Sequence, residues 1–305
     1  MKTQKLRAKG FPAENAGGAQ LEAIKKIALV AMFSDDELMD QLVLKGGNAM
    51  DLVHRVNSRA SIDLDFSMSN DFEIPAEALA RVQRALEHTF DLEGYVAFDI
   101  KMTARPGKMP DELAEFWGGY LVEFKLISRT RATDVGMDIG TMRREAILLG
   151  QGPRFTIDIS RFEYTADKQE AQVDGYQIFV YSPEMIVCEK LRAICQQMPD
   201  YGAIIQRSNK ATERARDFID IHALTKMFAV DLATHRAHHT VQEMFRLKRV
   251  PLKFLSQMSG MRAFHAAGFD AVKATMKTGI ELQSFDFYFD FVLDQTKKLE
   301  PLWNM

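Results

Sequence analysis

The chain has 305 residues, 47% of them hydrophobic and 27% charged, a balance that supports a substantial core and excludes an intrinsically disordered chain. Its net charge of −3 supplies no global field for nucleic acid, so any such surface has to be a local patch. The start, MKTQKLRAKGFPAENAGG, is basic with no apolar run behind it, and the longest apolar run, IALVAMF, is far short of a membrane span; both point to a cytoplasmic protein with neither signal peptide nor membrane segment.

Residues 19–42 read as one helix, since Leu21, Ile24, Ile27, Ala28 and Ala31 recur at helical spacing. LVLKGG is a short strand ending at glycines, and NAMDLVHRV is a helix of about two turns. SIDLDFSM alternates in period two and is predicted as a strand. PAEALARVQRALEHTF is a helix opened by proline. KMPDELAEFWGG is an irregular connector. YVAFDIKMTA, YLVEFKLISR, RFTIDISRF and YQIFVYS are rich in β-branched and aromatic residues and read as further strands. Beyond Pro183 the character changes: PEMIVCEKLRAICQQM, ATERARDFIDIHALTKMF and DAVKATMKTGIEL are helical. SFDFYFDFV alternates phenylalanines, but its flank LDQTKKL favours helix. The prediction is an α+β unit over 1–182, an N-terminal helix plus an α/β core, followed by an all-helical unit over 183–305. Cys188 and Cys195 lie seven apart on one helix face and read as buried free thiols of a reducing compartment.

The chemistry concentrates near residues 43–68. Alternation puts Asp63 and Asp65 on one strand face and Ile62, Leu64 and Phe66 on the other. Adjacent carboxylates repel, and a divalent cation removes that cost; Mg²⁺ takes one or two carboxylates and completes its shell with water and phosphate oxygens. Alone, such a pair is a common solvated strand face. The glycines change the context. Gly46 and Gly47 end one strand and open a helix, where backbone amides can cradle a phosphate.

LKGGNAMDLVHR followed by RASIDLDFSM resembles the polymerase-β-like nucleotidyltransferases, and most of all the AbiEii/AbiGii toxin family, whose pattern is roughly LKGGTAL and then RxSxDxD. Arg59, Ser61, Asp63 and Asp65 fill the latter positions. RFTIDISRFEY resembles the family strand carrying a third carboxylate, here Asp158; SPEMIVCEKLRAI resembles its EKLxA helix, giving Lys190; RARDFIDIHAL resembles its RDxxDL helix, giving Arg216, Asp217 and Asp220. The four blocks run in order from about residue 43 to 224. Asn48 stands where the family usually has Ser or Thr.

The resemblance implies a polymerase-β-like core with a mixed sheet and flanking helices, followed by a helical C-terminal domain. It implies a nucleotidyltransferase acting as a bacterial toxin of a toxin–antitoxin or abortive-infection system, with a cognate antitoxin. Metal, Mg²⁺ or Mn²⁺, would sit at Asp63, Asp65 and Asp158. An NTP, GTP in some members, would lie at Gly46, Gly47, Asn48, Arg59, Ser61 and Lys190, with Asp217 completing the catalytic set and the tRNA 3′ end as acceptor. A protein or small-molecule acceptor, as in aminoglycoside-type enzymes, stays open, as does a nucleotide-binding regulatory module whose chemistry has lapsed. Glu123 in LVEFKL rivals Asp158 as third carboxylate. Lys190 is either a phosphate-gripping charge or a lysine snorkelling at a helix edge. Asp217 either pairs with Arg214 or Arg216 or orients Lys190. His235, His238 and His239 in HRAHH read as a solvated helix face. Arg246, Lys248, Arg249 and Lys253 in FRLKRVPLK are either an RNA-backbone patch or a solvated turn.

Overall fold

The computed structural model describes residues 16–56, 63–148, 152–206, 210–276 and 281–304. The first predicted helix is two: α1 (Ala16–Phe33) and α2 (Asp36–Gln41). Asp35 divides them, because its extended backbone and a carboxylate accepting from Glu37 N and Leu38 N cap a new helix. The chain then enters β1 (Val43–Lys45) and turns through a short helical segment α3 (Gly46–Asn48) into a π-helical turn, Ala49–Val53. That helix starts at the glycines rather than after them.

β2 (Leu64–Ser67) is followed by α4 (Pro75–Leu92), with proline in its first turn, and by the long edge strand β3 (Tyr95–Arg105). The predicted connector holds one short helix, α5 (Asp111–Ala114), before β4 (Gly119–Ser128). After α6 (Arg129–Asp134) and α7 (Ile139–Arg144) come β5 (Phe155–Ser160) and a hairpin of β6 (Gln169–Val173) and β7 (Tyr176–Val180). β6 had no sequence signature: QEAQV is polar and carries one β-branched residue.

The strands form one mixed seven-stranded sheet in the order β3-β4-β5-β2-β1-β7-β6. β2 runs antiparallel to β1 and parallel to β5, so the glycine turn, the DxD segment and the Asp158 strand occupy its centre.

Helices follow. α8 (Pro183–Cys195) is capped by Ser182, and α9 (Pro199–Ile204) leads to α10 (Ala215–Phe228), which begins only at Ala215 rather than at Ala211. α11 (His235–Leu247), α12 (Phe254–Gln257), α13 (Arg262–Ala266) and α14 (Phe269–Lys273) complete the layer, so DAVKATM supplies one short helix instead of a long one. α15 (Phe285–Lys297) and α16 (Glu300–Trp303) end the chain. α15 resolves the ambiguous phenylalanines in favour of helix: Phe285, Tyr288, Phe289 and Val292 make one buried stripe, while Phe287 is exposed. Phe289 stacks on Phe218 of α10 at 5.0 Å between centroids. Cys188 and Cys195 are free and fully buried. One core runs without interruption from α1 through the sheet into α8, α10, α11 and α15.

Candidate active site

Sheet register assembles the site. Lys45 on β1 is opposite Asp65 on β2, and Asp65 is opposite Asp158 on β5. Gly46, directly after Lys45, has φ +67, and a Cβ there would come within 2.6 Å of the Asp65 carboxylate. Only glycine suits both the left-handed backbone and the close approach.

Asp63 lies just before β2 instead of on it. Its carboxylate accepts from the Thr156 hydroxyl on β5, and its backbone carbonyl accepts from the side-chain amide of Asn48. Asn48 is fully buried, and its own Oδ1 has no hydrogen-bond partner among the described residues. It therefore anchors the DxD segment and does not reach the cavity. Arg59 and Ser61 lie outside the described residues.

The clustered acids are out of their ordinary ranges. Burial pushes the Asp65 carboxyl up to about 7; Lys45 opposes this, while Asp158, Glu189 and Asp63 add to it. Asp158 is also raised, first by burial and then by Asp63, against Arg105 and Lys45. Among the described residues no three acidic, histidine or cysteine side chains close on one point, since Asp63 is turned to Thr156. Glu123, the rival third carboxylate, is opposite Thr156 rather than Asp65 and pairs with Arg154 at 3.1 Å.

Asp65 and Asp158 open into a cavity of ≈ 850 Å³ that also exposes Gly46, Gly47, Lys190 and Asp217. Behind it stands a buried charge network that the sequence reading missed. Glu163 receives Arg192 at 3.2 Å, Lys248 at 3.3 Å and Lys45 at 3.6 Å; Glu189 receives Arg192 at 3.1 Å and Lys45 at 3.7 Å. Burial would raise the Glu163 carboxyl, but Arg192, Lys248 and Lys45 outweigh it and hold it at about 2. Burial brings the Lys248 ammonium down to about 8 against the pull of Glu163. Three cations face two carboxylates here, leaving net positive charge beside the carboxylate cluster. The signal for part of it was present: Glu189 and Arg192 flank Lys190, and Glu163 lies three residues past the end of the Asp158 strand.

Lys190 is buried, with its ammonium donating to Asp217 and Asp220 at 2.8 Å each. Burial works against its charge, but the two carboxylates outweigh that and hold its pKa above the ordinary lysine range. It is not a snorkelling surface lysine, and Asp217, which also receives Arg214 at 3.5 Å, orients it. The FRLKRVPLK segment is not a free basic patch either. Lys248 belongs to the buried network, Arg246 pairs with Glu243, and Arg249 pairs with Glu115 over the Phe116 ring. His238 bonds the Lys298 carbonyl and His239 packs edge-on against Tyr164, so HRAHH is a helix face and not a cluster.

The family model described as "Nucleotidyl transferase AbiEii toxin, Type IV TA system" matches residues 27–291. No curated protein sequence matches the chain. Among solved structures it is similar to MenT4, a nucleotidyltransferase toxin from Mycobacterium tuberculosis H37Rv, with TM-score 0.50 and 14% identity over 95% of this chain and 86% of that one. It is also similar to JHP933 from Helicobacter pylori, with TM-score 0.47 and 18% identity over 94% and 95% of the respective chains. The MenT4 likeness carries the fold: a mixed sheet with flanking helices.

Two outcomes follow from the charges. Asp65 binds its proton more tightly in the folded state, so stability falls as pH rises from about 4 to about 7 and the full penalty is present above 7. Without divalent cation, Asp65→Asn should be more stable than wild type by on the order of 3 kcal/mol at pH 8, with the gain shrinking towards pH 4. Melting curves at both pH values test this, and a variant less stable at pH 8 contradicts it. Glu163 behaves oppositely: its stabilisation is complete above the ordinary glutamate range and is lost as pH falls towards 2. Glu163→Gln should cost about 3–5 kcal/mol at pH 7 by leaving buried cations uncompensated. Urea midpoints should show that gap narrowing below pH 4; a gap that stays constant there would assign the loss to packing.

Proposed function

The chain belongs to the AbiEii family of nucleotidyltransferase toxins, and from that premise we propose that it transfers a nucleotide from an NTP to an RNA 3′ end, such as that of tRNA, with Mg²⁺ or Mn²⁺ at Asp63, Asp65 and Asp158. The observation that carries this reading is the side-by-side placement of Asp65 and Asp158 across two central strands, with Gly46 packed on Asp65, at the wall of one cavity. Asp65 and Asp158 offer carboxylate oxygens, which suit a hard divalent cation, and Asp63 would join them by turning away from Thr156; burial above all holds the Asp65 and Asp158 carboxyls above their ordinary range, a cost that an arriving cation would offset. When bound, the ion neutralises these acids and draws electron density from the α-phosphate.

The chain's own groups divide the remaining work. Gly46 lets backbone approach the triphosphate where a side chain would block it. Lys45, Arg192 and Lys248 supply the net positive field on which phosphate charge can rest. Lys190 stays protonated between Asp217 and Asp220 and presents a fixed cation to the cavity. In the transfer the acceptor hydroxyl oxygen bonds the α-phosphorus, the bond to the leaving pyrophosphate breaks, and the hydroxyl proton passes to the Asp158 carboxylate. The α/β unit 1–182 brings the acids and the glycines, and the helical unit 183–305 brings Lys190, Arg192, Asp217 and Lys248, so the reaction belongs at their junction. A type IV toxin works against an antitoxin, which we expect as a genetic partner.

The test is incubation of the full chain with each labelled NTP, GTP included, with Mg²⁺ and total tRNA. Label should enter RNA, and Asp65→Asn and Asp158→Asn should each lower the rate by at least about a hundredfold. Label appearing only on protein, or equal rates in the variants, would overturn the proposal. Expression of the wild type in a bacterial host should also arrest growth, with Asp65→Asn relieving the arrest. Equal arrest by wild type and variant would separate toxicity from this site.

A further inference from the structure

A second cavity, of ≈ 470 Å³, adjoins the first and shares Pro106, Trp117, Gln196 and Arg214 with it. The two differ in charge. The first mixes Asp65, Asp158, Glu163 and Glu189 with its cations, whereas the second is lined by Lys108, Lys210 and Arg214 and, among the described residues, by no carboxylate. Arg214 spends part of its charge on Asp217 at 3.5 Å; neither Lys108 nor Lys210 has a carboxylate partner among the described residues. Trp117 forms the wall between the cavities. It is partly exposed and firmly held: its ring packs on Tyr201 at 6.2 Å, the Lys248 ammonium lies 5.6 Å from it, and its carbonyl accepts from Arg161 Nε at 3.3 Å. Trp117 stands at the entrance of β4, whose Leu121 is the register partner of Asp158. Trp117 thus lies two residues ahead of the strand that flanks Asp158.

The geometry points to the second cavity as the seat of a single-stranded nucleic-acid acceptor, with a base near its 3′ end against Trp117 and its phosphates among Lys108, Lys210 and Arg214. This rests on the transfer reading for its purpose but not for its chemistry. An NTP carries its charge on the triphosphate, so its neutral base and ribose give a wall of cations nothing to meet. A strand carries one negative charge at every nucleotide and keeps a π-face available at each base, which is the pairing that a cationic groove with an aromatic platform accepts. The shared wall at Trp117 lets such a strand continue from this cavity to end beside Asp158.

The chain contains two tryptophans, Trp117 and Trp303, so a full-length Trp303→Phe protein reports on Trp117 alone. A short single-stranded RNA with a free 3′ hydroxyl, added without NTP or metal, should quench that fluorescence, and Lys108→Glu with Lys210→Glu should abolish the quenching. In the same background, Lys108→Glu with Lys210→Glu should weaken RNA binding at least tenfold and flatten its salt dependence, while NTP affinity stays within twofold. Both lysines are at the surface, so the double variant should fold even if Trp117→Leu does not. Quenching by NTP alone that the same charge reversal abolishes would make the cavity a nucleoside pocket and overturn the inference, as would RNA binding indifferent to the charge reversal. Because binding is read without transfer, the two readings fail separately. RNA that quenches Trp117 but is never extended leaves this site standing and removes RNA as the reaction's acceptor. RNA that is extended with neither quenching nor a charge effect removes only this site.

Discussion

Asp65 stands between Lys45 on one neighbouring strand and Asp158 on the other, and the sheet's register leaves it no alternative. A carboxylate buried beside another carboxylate is an unfavourable arrangement: burial first, and then Asp158, Glu189 and Asp63, push the Asp65 carboxyl up to about 7 against the pull of Lys45. The surrounding features accommodate that repulsion. Gly46 lacks the side chain that would collide with Asp65, Asn48 holds the backbone that carries Asp63, and β5 supplies both Asp158 and the threonine whose hydroxyl donates to Asp63. At the wall of a cavity, that conflict is where a positive charge arriving from outside would be most favourable.

The buried network beside it follows the same logic with the opposite sign. Lys45, Arg192 and Lys248 outnumber Glu163 and Glu189, so positive charge is held within reach of the acids without collapsing onto them. The contributions come from distant stretches: Lys45 from β1, Glu163 from the segment after β5, Glu189 and Arg192 from α8, and Lys248 from the end of α11. Lys190, between Asp217 and Asp220, is a second such cation, fixed by α10. The site therefore depends on packing of the helical layer against the sheet, which the uninterrupted core between them provides.

What could be read from the sequence was local and periodic. Alternation in FTIDIS placed Asp158 on a strand, the glycine pair located the turn out of β1 into α3, and the four motif blocks identified the family that the model match then established. Where reading failed, a single side chain or a long-range contact decided. Asp35 splits the first helix by capping a second one, and Asp63 leaves its strand because Asn48 and Thr156 hold it before the first ladder residue. β6 pairs with β7 despite polar residues because the hairpin, not propensity, sets it there. Lys248 looks like one more surface lysine in RLKRV; its burial depends on Glu163, Phe116 and Arg161, which lie far away in sequence.

The central claim is that Asp63, Asp65 and Asp158 hold a divalent cation where the NTP phosphates arrive. Electron paramagnetic resonance of Mn²⁺ titrated into the full chain, with and without NTP, tests it without requiring turnover. The account predicts bound Mn²⁺ that tightens when NTP is present, and loss of that binding in Asp65→Asn and in Asp158→Asn while both variants remain folded. Mn²⁺ binding of equal strength in wild type and both variants would contradict it.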